Sequence, residues 1–165
     1  MPIISTDIKY RLSGGTSNTL QAASIGGAIS STTDASSAIF DDVTSGEAAA
    51  GDTEFRCLYV KNTHATLTAL GVRLWVLANT PSPDTDVSIG LGSSGINGTE
   101  QTVADENTAP MNITFSSAAT EGAALAIGDL APGASRAIWI RRVVTAGAAV
   151  YADGFTLRSK FDTLP

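Results

Sequence analysis

The sequence predicts an all-β fold, an antiparallel β-sandwich with an extended Ser/Gly/Ala-rich N-terminal arm. Three observations predict it. After Asp52 the chain runs in short apolar and polar alternations separated by turn residues, the pattern of half-buried strands. No stretch after Thr53 keeps a helical apolar period over the roughly ten residues that a stable helix needs. Between Ser13 and Thr53, Ser, Thr, Gly and Ala dominate, with the pairs Gly14-Gly15 and Gly26-Gly27 and few large side chains.

Size and charge narrow the classes further. The 165 residues fit one ordinary domain, divided here into an arm at 1–53 with one short strand and a sandwich at 54–165. With 43% hydrophobic and 16% charged residues, the chain is too apolar for an acidic disordered tail, and no apolar run nears the ~20 residues that span a bilayer. Its 10 Lys+Arg stand against 16 Asp+Glu, a net charge of -6 that argues against a nucleic-acid surface. The start Met1-Pro2-Ile3-Ile4-Ser5-Thr6-Asp7 lacks the basic and apolar stretches of a secretory signal, so production without Sec export is expected. A single Cys57 closes no intrachain disulfide and falls short of a cysteine zinc site.

In the arm, Ile8-Lys9-Tyr10-Arg11-Leu12 alternates and predicts a strand with Ile8, Tyr10 and Leu12 inward. Residues 38–43, followed by 45–52, hold one helical turn at most. The arm is expected to lie on its own body or on a neighbour. In the body, Phe55, Cys57 and Tyr59 share one face of the first strand, and Arg56, Leu58 and Val60 share the other. A turn at 62–66 leads to a second strand at 70–77, with Val72, Leu74 and Val76 on one face, and the pair is expected to form a hairpin. Further strands are predicted at 86–91, 111–115, 136–145 and 155–161. Residues Gly128 to Gly133 supply a Pro-Gly turn. Two layers must bury the inward faces, which gives an Ig-like or jelly-roll sandwich of about six to eight strands.

Residues that carry chemistry are few and scattered. Gly90-Leu91-Gly92-Ser93-Ser94-Gly95 matches G-x-G-x-x-G, but a turn-like Ile96-Asn97-Gly98-Thr99 follows where a dinucleotide site needs a helix. A Gly/Ser loop is expected there. His64 is the one histidine, and no G-x-S-x-G elbow accompanies it, so it is read as a turn residue. Cys57 is read as a small buried apolar residue. Asp41-Asp42 and Asp84-Thr85-Asp86 are the close acid pairs. Neither carries the calcium-loop pattern, and a glycosidase dyad needs an aromatic cleft in a chain with 6% aromatics. No catalytic residue, cofactor or metal is assigned, and no enzymatic activity is expected.

One feature stands out. On the strand at 136–145, Ile138 and Ile140 take one face while Ala137, Trp139, Arg141 and Val143 take the other. On the strand at 70–77, Arg73, Trp75 and Leu77 oppose the inward residues. Both tryptophans thus fall on outer faces beside an arginine, and these residue types are enriched at protein contacts. Arg73, Trp75, Trp139 and Arg141, with Tyr10 and Phe40 from the arm, are the candidate interface residues.

The stretch from Phe40 to Asn62 resembles a segment of small virion structural proteins of tailed bacteriophages. Residues 8–15, 109–115, 130–133 and 137–142 are similar to the same family, so the likeness spans most of the chain. It implies a non-enzymatic component present in many copies, a head decoration or cement protein on the outer capsid surface of the virion. The implied partners are the major capsid protein and copies of the chain itself, with no nucleic acid, membrane or small-molecule substrate. A neck, collar or tail accessory subunit is one alternative. A carbohydrate-binding module using an exposed Trp75 or Trp139 is another.

Overall fold

A computed structural model describes residues 2–149 and 153–163. Its strands in chain order are β1 (Ile8–Leu12), β2 (Gly26–Gly27), β3 (Asp52–Asn62), β4 (Ala69–Ala78), β5 (Thr85–Leu91), β6 (Glu100–Thr102), β7 (Leu125–Leu130), β8 (Ser135–Val144) and β9 (Thr156–Asp162). A short helix α1 (Ser45–Ala50) precedes β3, opened by a capping box between Thr44 and Glu47. Two antiparallel sheets pack together, a large one in the order β1-β3-β8-β5 and a small one in the order β7-β4-β9. The fold is the predicted all-β sandwich.

Side-chain alternation decides what each face buries. Leu58 and Val60 of β3, with Ile138 and Ile140 of β8, meet Val72, Leu74 and Val76 of β4 and Ile127 and Leu130 of β7 in the core between the sheets. On the opposite face of the same two strands, Phe55, Cys57, Tyr59, Ala137 and Trp139 form a second core with Val103. Ile25, Ile29, Ile113 and Phe115 pack over it. Strands β3 and β8 are therefore apolar and buried on both sides.

The cover of that second core comes from the arm and from the segment around β6. Ser13 Oγ donates to the Cys57 carbonyl at 2.8 Å and accepts from the Gly26 amide at 3.1 Å. The Cys57 amide donates to the Ser24 carbonyl and the Phe55 amide to the Glu106 carbonyl, each at 2.7 Å, so these loops continue the edge of β3 beyond the end of β1. Strand β2 pairs with β6. Gly26 has φ 105°, and a Cβ there would lie 1.8 Å from the Gln101 carbonyl oxygen, so only glycine permits the approach. The small-residue composition of the arm is that of a lid pressed against a backbone.

Three expectations are corrected. The 70–77 strand makes no hairpin with its predecessor: β3 pairs with β1 and β8, and β4 with β7 and β9. The intervening turn instead carries the chain from one sheet to the other, tied by the Asn62 side-chain amide to the Leu67 and Leu130 carbonyls, both at 2.9 Å. Residues 111–115 form no strand, because Ile113 and Phe115 turn onto the second core and only Ser116 bridges to Ile89 of β5. Strand β7 arises where the sequence shows a turn, which begins instead at Ala131. Strand β1 is an edge of the large sheet, and Ile3, Ile39 and Phe40 belong to the core between the sheets.

Removing residues 1–51 is therefore expected to leave no folded sandwich, read as loss of amide dispersion in a proton NMR spectrum. A well-dispersed spectrum from the truncated chain would refute the double cover. Trp139→Ala is expected to cost about 3–5 kcal/mol in urea unfolding, since the ring is wholly buried and the lid that covers it is hydrogen-bonded in place.

Candidate functional site

The Gly90–Gly95 loop binds a side chain of its own protein. Ser93 Oγ donates to Glu100 Oε1 at 2.7 Å, and the Ser94 amide donates to Oε2 at 2.8 Å. A Cβ at Gly92 would meet that same carboxylate at 2.6 Å. Burial raises the Glu100 carboxyl, and the Ser94 and Ser93 donors more than reverse this, holding it at about 2. The Glu100 amide donates to the Tyr59 hydroxyl at 3.0 Å, which in turn donates toward the Gly27 carbonyl at 2.7 Å. The loop thus fastens β6 and β2 to the second core.

A charged cluster closes one end of the inter-sheet core. Glu54 of β3 stands opposite Arg142 of β8 in register, and Arg142 Nε donates to its carboxylate at 2.5 Å. Arg56 pairs with Glu106, and Arg142 Nη1 donates to the Asp41 carbonyl at 2.6 Å. Both guanidinium carbons lie over the Phe40 ring, at 5.4 Å for Arg56 and 4.8 Å for Arg142. Burial pushes the Glu54 carboxyl up to about 7 against the pull of Arg142. Asp41, Glu54 and Glu106 bring carboxylate oxygens within 4.8 Å of one another, but Arg56 and Arg142 already supply the positive charge that a cation would bring. A cleft of about 320 Å³ beside Phe40 is lined by Thr80, Thr85, Val87 and Arg142.

The structure does not gather the predicted interface residues into one patch. Trp139 is 0% exposed within the second core, and Arg141 donates to Ser88 Oγ at 3.0 Å with its guanidinium 5.0 Å from the Phe115 ring. Trp75 is 6% exposed, with the Arg158 guanidinium 6.0 Å from its ring. Tyr10 lines an opening between the sheets with Leu58, Ile140 and Leu157, and Phe40 sits in the charged cluster. The expected outer-face tryptophans are therefore covered by their own chain. Of the six, Arg73 alone is exposed.

Arg73 belongs to a group that the alternation pattern alone does not reveal. Strand β9 pairs with β4 so that Lys160 stands opposite Arg73 and Arg158 opposite Trp75. All three cations lie on the outer face of the small sheet. Glu121, in a 3-10 turn before β7, accepts from Lys160 at 2.6 Å, and this hydrogen bond, with Lys160, Arg73 and Arg158 nearby, lowers its carboxyl. The alternation Thr156, Arg158, Lys160 is the signal in the sequence, but only the β4–β9 register joins it to Arg73.

Other reactive types have structural duties. The Cys57 thiol is buried, which pushes its pKa up, and the His64 ring accepts at Nδ1 from the Leu67 amide at 3.0 Å within its turn. Compared with protein-family models, curated proteins and solved structures, the chain matches none.

The two perturbed carboxylates give opposite pH dependences. Glu100 stabilises the fold above its ordinary 4.5, and this contribution is lost as pH falls towards 2; Glu100→Gln is expected to flatten that fall in Tm. Glu54 contributes fully below 4.5 and loses its contribution as pH rises through 7, so Glu54→Gln is expected to flatten stability across that interval. Unchanged slopes in either variant would contradict the assignment.

Proposed function

We propose that the chain is a structural component of a tailed-phage virion, a decoration or cement protein bound in many copies to the outside of the capsid lattice. The major capsid protein and further copies of the chain are its partners. The observation that carries this reading is where its chemistry-bearing side chains lie. Among the described residues, Cys57, His64, Glu54, Arg56, Glu100 and Arg142 are each committed to a core, a turn or a buried ion pair. Such a body supports a role in contact rather than in turnover. The resemblance of residues 40–62 adds to it, since that stretch holds Phe40, α1 and the central strand β3. A neck or tail position fits the same body. The carbohydrate reading loses its basis, because a glycan platform needs exposed aromatic rings and both tryptophans are buried.

The test mixes purified protein with phage heads that lack it, followed by copy number per particle and survival of heat and osmotic shock. Hundreds of copies with raised survival are the expected result. A dozen copies or fewer would move the chain to the neck or tail, and no binding to any particle would end the virion reading.

A further inference from the structure

The two main sheets have four edge strands, and three are closed by the chain itself. Along β1, the Leu12 amide donates to Thr33, the Ala35 amide to Tyr10 and the Ser30 amide to Leu12. At β5, the Asn79 side chain both donates to the Val87 carbonyl at 3.0 Å and accepts from its amide at 2.9 Å, and Ile89 exchanges two hydrogen bonds with Ser116. On β7, the carbonyls of Ile127 and Leu130 accept from Arg136 and Asn62. The fourth, β9, is hydrogen-bonded to β4 on one side, and no described residue hydrogen-bonds to its other side. Proteins close such edges because an open row of amides and carbonyls templates another strand.

The side chains along β9 say which strand would suit it. Thr156, Arg158, Lys160 and Asp162 are exposed on the outer face, while Leu157, Ser159 and Phe161 are half-buried beneath. Arg73 directly opposes Lys160, a like-charged pairing that costs stability in an isolated sheet. In a chain of net charge -6, three cations stand beside one open edge; Glu121 pairs with Lys160 and Asp162 ends the row, which leaves Arg158 and Arg73 without an ion pair among the described residues. A second copy pairing its own β9 antiparallel about Ser159 would set Arg158 against Lys160, repeating the repulsion.

We infer that the outer edge of β9 receives an extended segment of another protein, one that alternates apolar and acidic residues. Its main chain completes the small sheet. Its apolar residues cover Leu157 and Phe161, and its carboxylates meet Arg73, Arg158 and Lys160. This goes beyond the virion reading and does not rest on it, since its test uses no particle.

The full-length chain is titrated with a fluorescent peptide that alternates glutamate and valine, read by anisotropy and by hydrogen exchange across residues 156–162. Saturable binding with slowed exchange in β9 is expected. N-methylation of one set of alternate peptide amides should abolish it, and of the other set should not. Arg158→Glu or Arg73→Glu, each checked for an unchanged circular dichroism spectrum, should weaken binding about tenfold, and a lysine/valine peptide should recover it on Arg158→Glu. Equal binding by a peptide with its glutamates grouped, or indifference to N-methylation, would show charge attraction alone and overturn strand addition. So would no binding at millimolar peptide. A concentration-dependent dimer protecting the same amides would assign the edge to a second copy and overturn the proposed partner.

Discussion

A sheet that is apolar on both faces must be covered twice, and that constraint shapes most of this chain. Strands β3 and β8 place Leu58, Val60, Ile138 and Ile140 on one side and Phe55, Tyr59 and Trp139 on the other. The small sheet covers the first side. The second falls to irregular chain, which must satisfy its own amides while lying against a sheet. Ser, Gly and Ala suit such a cover because they approach a backbone closely and surrender little side-chain entropy when ordered. Short side chains then do the fastening, as Ser13 does at once to the Cys57 carbonyl and the Gly26 amide. The hydroxyl of Tyr59 serves both halves of the lid, reaching Gly27 on one side and Gly98 on the other.

The charged cluster answers a different problem, the open end of the inter-sheet core. Positions 54 and 56 of β3 and 142 of β8 continue the inward-facing rows, yet they carry Glu54, Arg56 and Arg142, and Glu54 and Arg56 are almost wholly buried. Isolated charges there would be prohibitive. Each guanidinium instead lies over the Phe40 ring while pairing with a carboxylate, a combination that suits arginine better than lysine. A buried ion pair is weak ground for net stability. Its clearer effect is positional, since Arg142 also holds the Asp41 carbonyl and so fixes the loop that delivers Phe40.

Period-two alternation made six of the nine strands and the two faces of β3 legible in the sequence, down to Cys57 and Leu58 pointing opposite ways. It could not show which strand pairs with which. A β3–β4 hairpin is what local spacing suggests, whereas the observed partners of β3 are β1 and β8, the latter about 80 positions away. Alternation also names a face without naming what lies over it. Alternation puts Trp139 opposite Ile138 and Ile140, but the isoleucines and the phenylalanine that pack over its cluster, Ile25, Ile29, Ile113 and Phe115, come from irregular chain with no strand to announce them. Strand β7 escaped notice because Gly128 and Asp129 within it read as turn residues. The Glu54–Arg142 pair and the Arg73–Lys160 opposition each need a register between distant strands.

The two sheets end in different conditions, and the difference concerns function more than fold. The large sheet is covered on both faces and closed along β1 and β5 by its own chain, so it has little surface left to offer a strand. The small sheet keeps an outer face with Arg73, Arg158 and Lys160 exposed, and β9 keeps an unbonded side among the described residues. Local choices that disagree with stability are where binding sites are expected, and opposing Arg73 to Lys160 is such a choice. Three of the chain's 10 Lys+Arg thus gather on one sheet face, although the chain as a whole carries a net charge of -6.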